Sequence, residues 1–116
     1  MRRFCPLKGK ERRSRAFYVI TLRSGVKKED LKKFLEAEWI PAIRSTPGCL
    51  EVELWDDHQD RAGYYLCELW ENKEVHFQNV TKLWNVDKKD VYLKLAKYGI
   101  MELRFSGDVI DSLRGF

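Results

Sequence analysis

From Leu50 to Trp55 the chain alternates strictly, with Leu50, Val52 and Leu54 on one side and Glu51, Glu53 and Trp55 on the other. That is the period of a strand with one face in a core. After the polar stretch Asp56-Asp57-His58-Gln59-Asp60-Arg61-Ala62-Gly63 an apolar pattern resumes from Tyr64 to Trp70, so the two segments are expected to pair as a hairpin. The rest of the chain must be arranged around that hairpin. Before it, Phe17 to Arg23 reads as a first strand that stops at Ser24-Gly25. From Lys27 the period becomes helical, through Leu31, Phe34, Leu35 and Glu38, with Glu29 and Asp30 in the first turn. Pro41 lies in the continuation Trp39 to Arg44, where its missing N–H predicts a kink or a second short helix, and Pro47-Gly48 ends the segment. After the hairpin, Asn72 is placed to cap a helix from Lys73 to Trp84 whose apolar face carries His76, Val80, Leu83 and Trp84. Asp87 can cap a further helix using Val91, Leu95 and Tyr98 and ended by Gly99. Ile100 to Phe105 reads as a fourth strand, with a short extra strand expected at Val109-Ile110.

Strand, helix, strand, strand, helix, strand is the order of an α+β ferredoxin-like sandwich, βαββαβ, with an antiparallel four-stranded sheet and both helical segments on one face. The other face carries a mixture of apolar and charged side chains that its own helices cannot cover, so a homodimer is expected. We divide the chain into a basic arm at 1–15, a folded domain at 16–106 and a tail at 107–116. The net charge of +4 is concentrated in the arm, where seven Lys and Arg residues face Glu11 alone and residues 16–116 are left at −2. Such an arm cannot bury apolar surface and reads as disordered. The basic start has no apolar segment behind it, and no apolar run approaches a membrane span. Cys5, Cys49 and Cys67 are odd in number and lack CxxC spacing, as in reduced thiols of a cytoplasmic protein.

The seven glycines never take up a phosphate-binding spacing, and no serine stands in a GxSxG elbow. Asp56, Asp57, His58 and Asp60 could gather a divalent cation, but four polar residues in a hairpin loop are expected to turn it, and no metal site is assigned.

Leu66, Glu68 and Trp70 are spaced by two and so project from one face of the third strand. The helix starting at Asn72 turns back over that face, with His76, Asn79 and Leu83 on a stripe that can look down on it. A cavity there would be walled by Trp70, Trp84 and Tyr98, with Leu66 beside them and Glu68, His76 and Asn79 as polar points. That mixture suits a flat aromatic or quinone-like ligand. Glu68 or His76 could act as a base, since a carboxylate under an aromatic lid has a raised pKa and histidine titrates near neutrality.

The run Leu66-Cys67-Glu68-Leu69-Trp70, leading straight into a helix, resembles the L-x-E-x-W strand of the antibiotic biosynthesis monooxygenase family of dimeric α+β barrels. Pro47-Gly48-Cys49-Leu50 resembles the family's P-G-hydrophobic junction, and the element order agrees from about Phe17 to Phe105. The resemblance implies a dimeric barrel and a reaction without cofactor. A phenolic substrate loses a proton and its carbanion meets dioxygen directly, while Trp70 donates its indole N–H and Asn79 orients an oxygen. Leu66 departs from members that place a polar residue four before the tryptophan. The haem-degrading branch needs an axial histidine that Asp87 to Asp90 lacks.

Structural roles stand beside these readings. Trp70 can be a core anchor, Glu68 can pair with Arg23 or Arg104, and His76 can be a helix residue with a satisfied ring. A dimeric binding protein without turnover is the main alternative function. An RNA recognition motif shares the element order, but Ala62 to Leu69 puts Tyr65 at the small position and Leu69 at the last stacking position. Glu51, Glu53, Glu68 and Glu102 across the sheet would also repel phosphate, so nucleic acid is not an expected partner.

Overall fold

The computed structural model of the 116-residue chain describes residues 12–60, 63–82 and 89–110, the side chains of 80–82 excepted. The elements are β1 (Ser14–Leu22), α1 (Lys28–Phe34), a π-helical turn (Leu35–Trp39), α2 (Ile40–Arg44), β2 (Cys49–Trp55), β3 (Tyr64–Trp70), α3 (Lys73–Lys82), α4 (Lys89–Tyr98) and β4 (Gly99–Asp108). The sheet order is β2-β3-β1-β4 and all three pairings are antiparallel. This is the α+β sheet expected from the element order, with β1 and β3 at its centre.

Alternation decides which side chains meet the helices. Ala16, Tyr18 and Ile20 of β1 and Tyr64, Leu66 and Trp70 of β3 form one core with Leu31, Phe34, Leu35, Trp39, Ile40 and Ile43 from the first helical segment and Leu95 from α4. The opposite set, Phe17, Tyr65, Trp55 and Phe105, lies on the other face.

The disturbance expected at Pro41 falls just ahead of it. Its ring and missing N–H are incompatible with a regular turn onto Ala37, and the helix widens into the π turn, the Ile40 N–H reaching the Leu35 carbonyl. The helix then continues as α2. Gly48 has φ +90, and a Cβ there would stand 2.1 Å from Val75 Cγ1. Only glycine lets the entry to β2 lie so close to the start of α3.

Several boundaries differ from the sequence reading. β1 starts at Ser14, so the last two residues assigned to the arm are strand, held because Ser14 and Arg15 pair with both β3 and β4. β4 runs to Asp108 for the same reason, taking in the first two residues assigned to the tail. In place of a separate strand, the Val109 N–H adds one bond to the Arg13 carbonyl at 2.7 Å. Gly99 does not cap α4 in a left-handed conformation; it opens β4, where a Cβ would meet the Thr21 carbonyl oxygen at 2.8 Å. Residues 1–11, Leu83, Trp84 and Asp87 lie outside the described residues.

The hairpin loop is tied to the rest of the fold. Lys28 Nζ lies 2.7 Å from Asp56 and 2.6 Å from Asp60, while Asp57 accepts bonds from the Tyr65 hydroxyl at 2.8 Å and the Gln59 N–H at 2.9 Å. Among the described residues no helix is long and apolar enough to cross a membrane.

Candidate functional site

Trp70 ends β3, and two residues later Asn72 caps α3, its side-chain oxygen accepting the Val75 N–H at 2.8 Å. That cap fixes the first turn of α3 so that His76 folds back over the strand it has just left. The rings of Trp70 and His76 stack at 5.1 Å between centroids. Glu68, on the same face of β3, accepts the Trp70 indole N–H at 2.8 Å. Its Oε1 stands 3.7 Å from His76 Nε2. From β1, the Tyr18 hydroxyl reaches His76 Nε2 at 2.9 Å. Four side chains from three elements thus share one buried cluster, Glu68 and His76 each only 1% exposed.

Burial sets the protonation of this cluster. It pushes the Glu68 carboxyl up to about 7 against the opposing pull of the Trp70 hydrogen bond, and pushes the His76 imidazole down to about 4. Burial, with the nearby Glu68 charge, also raises Tyr18, so its phenol stays protonated. At neutral pH His76 is therefore uncharged and its contact with Glu68 is not a formed ion pair. A neutral imidazole has one N–H; whichever nitrogen carries it, Nε2 is engaged with Tyr18, and Nδ1 is buried without a partner among the described residues.

Beside the cluster, between the β1–β4 edge of the sheet and α3 and α4, lies a cavity of about 470 Å³. Its described lining includes Tyr18, His76, Phe77, Tyr92, Leu95, Met101 and Leu103, with Arg23 also on the wall. The volume is in the range of small-molecule sites.

The residues singled out from the sequence separate in space. His76 lines the cavity, and Glu68 and Trp70 stand immediately behind it. Leu66 is fully buried in the core. Asn79 does not present its amide as expected; its Nδ2 donates to the Val75 carbonyl of its own helix at 2.9 Å. Tyr98 stacks on Phe34 at 5.0 Å rather than walling the cavity, and Trp84 is outside the described residues. Glu68 pairs with neither Arg23 nor Arg104. Arg23 Nε donates to the Ala96 carbonyl, and Arg104 is exposed beside the bulge in β4. Nor does Glu68 share the open face with Glu51, Glu53 and Glu102. Tyr18 and Arg23 were not among the candidates; the alternation Ala16-Tyr18-Ile20 is the signal that puts the phenol on the helix side.

The sequence profile described as antibiotic biosynthesis monooxygenase matches residues 17–82. No curated protein matches the chain significantly. Among solved structures, SnoaB, a cofactor-independent oxygenase from Streptomyces nogalater, superposes with a TM-score of 0.63 at 10% identity, over 90% of this chain and 96% of that one. A candidate antibiotic biosynthesis monooxygenase from Bordetella bronchiseptica gives 0.67 at 15% identity, over 83% and 95%. A conserved protein of Bacteroides thetaiotaomicron, described as a possible oxidoreductase, gives 0.60 at 15%, over 85% and 99%. At these identities the likeness is one of fold.

Proposed function

Because this chain belongs to the antibiotic biosynthesis monooxygenase family, we propose that it is a monooxygenase that oxidises an aromatic or quinone-like small molecule in the 470 Å³ cavity without a cofactor. The observation that carries this reading is His76, a neutral, buried imidazole in the cavity lining with a titratable carboxyl 3.7 Å behind it. A phenolic substrate seated there loses a proton to His76. Desolvation opposes the resulting charge, and an ionised Glu68 offsets that cost. The substrate carbanion then gives electrons to dioxygen. One oxygen atom stays on the ring as a new carbonyl and the other leaves as water with the two hydrogens the substrate has lost, so a phenol becomes a quinone. Tyr18 holds the imidazole in place.

Oxygen uptake with polycyclic phenols, followed with quinone absorbance, tests this. His76→Phe is expected to lower kcat by about a hundredfold or more, and full activity in that variant would end the proposal. We also propose a homodimer closed over the open sheet face, where Phe105 is 63% and Trp55 44% exposed. One observation favours a binding protein without turnover: the Trp70 N–H is engaged by Glu68 and the Asn79 amide by Val75, so neither is directed at a ligand. Ligand retention without oxygen uptake on any phenol would select that second reading.

A further inference from the structure

The cavity has one charged side chain in its described lining, Arg23, and no carboxylate. Arg23 follows β1 and is fastened to the C-terminal turn of α4 twice: its N–H donates to the Tyr98 carbonyl at 3.0 Å and its Nε to the Ala96 carbonyl. These bonds hold a cation against the negative end of a helix and fix the guanidinium plane at the cavity wall. Its two terminal nitrogens have no partner among the described residues, and no described carboxylate lies within ion-pair distance of them. His76 also contributes to the lining, but its Nδ1, without a hydrogen-bond partner among the described residues, is buried. The rest of the described lining is mostly apolar, including Leu95, Met101 and Leu103 from α4 and β4.

We infer that the cavity takes an apolar organic anion, an aryl carboxylate or sulfonate. The acid group binds the terminal nitrogens of Arg23, and the ring system lies against Leu95, Met101 and Leu103. A neutral hydrocarbon would leave the guanidinium unmatched, whereas a guanidinium already fixed by its Nε loses little freedom on accepting two oxygens. This assignment rests on the proposed site but not on its chemistry, since it concerns what binds rather than what reacts.

Two fluorescent probes separate the terms. Anilinonaphthalene sulfonate and phenylnaphthylamine share a ring system and an N–H and differ by the sulfonate. Arg23→Gln should weaken the sulfonate about tenfold, the loss expected for a charge-assisted hydrogen bond, and leave the neutral probe within about twofold. Arg23→Lys should restore part of the difference. Leu103→Trp, at a position 43% exposed that lines the cavity, should displace both probes. Equal weakening of both probes by Arg23→Gln would reduce Arg23 to a helix cap and overturn the assignment. Sulfonate binding unaffected by Arg23→Gln, or surviving Leu103→Trp, would overturn it as well. Absence of oxygen uptake would count against the oxygenase reading while leaving this probe ratio intact.

Discussion

The two faces of the sheet are built from alternate residues of the same strands, yet they solve opposite problems. Under the helices, Tyr18, Glu68 and Trp70 bring polar atoms into a nearly water-free layer and pair them with one another and with His76. On the other face, Phe17 stacks on Phe105 at 4.7 Å and meets Trp55 edge-on at 5.6 Å and Tyr65 at 5.3 Å, with much of that aromatic surface exposed. Buried polar groups are costly unless matched, and exposed aromatic ones are costly unless covered. The first face therefore points to chemistry inside the chain, and the second to a contact outside it. Substitutions should tell the faces apart.

The largest effect is expected at Trp70, one of the largest fully buried side chains. Trp70→Ala removes its volume from the core and the donor from Glu68, and should cost about 3–5 kcal/mol in urea unfolding. Next come Glu68 and His76, whose contributions to the pH dependence of stability oppose each other. A carboxyl raised from 4.5 to about 7 in the folded state makes the fold lose stability as pH rises through that interval, because the native state holds the extra proton. An imidazole lowered from 6.5 to about 4 makes it gain stability over nearly the same interval. Each is worth about 3 kcal/mol at full extent, so the intact pair should show little slope between pH 4.5 and 6.5. Glu68→Gln should uncover a rise in stability with pH, and His76→Phe a fall. Parallel slopes in the two variants would show that the cluster is not titrating as described. The same carboxyl should make turnover rise through about pH 7, a rise that Glu68→Gln removes. A smaller loss, about 1–2 kcal/mol, is expected for Tyr18→Phe, which leaves His76 Nε2 without its hydroxyl partner.

What the sequence made legible follows from how local each signal is. Period-two spacing put Leu66, Glu68 and Trp70 on one face, and the Asn72 cap put His76 above them; both signals lie within a few residues. The extra length of β1 and β4 was hidden because Ser14 is strand through Trp70 and Asp108, and Asp108 through Ser14, all distant in sequence. Tyr18 and Arg23 were missed for the same reason. Their roles depend on β1 lying between β3 and β4 and on α4 ending beside Arg23, contacts between segments far apart in sequence. Asn79 misled because its spacing fits the facing stripe, while its amide has a nearer acceptor four residues back.

The open face supplies the smallest expected effect on the folding of one chain and the sharpest contrast with the covered one. Phe105 stacks on Phe17 but is mostly exposed, so Phe105→Glu should cost a single chain only about 1 kcal/mol, the value of the lost aromatic pair. If a second copy covers this face, the same change buries an unpaired carboxylate in the contact, and association should fail although the fold survives. Light scattering after size exclusion should then report a dimer for the unaltered chain and a monomer for Phe105→Glu. The melting temperature should depend on protein concentration for the first and not for the second. A concentration-independent monomer in both cases would mean that the exposed aromatic surface serves some contact other than self-association, and the contrast between the two faces would rest on the covered side alone.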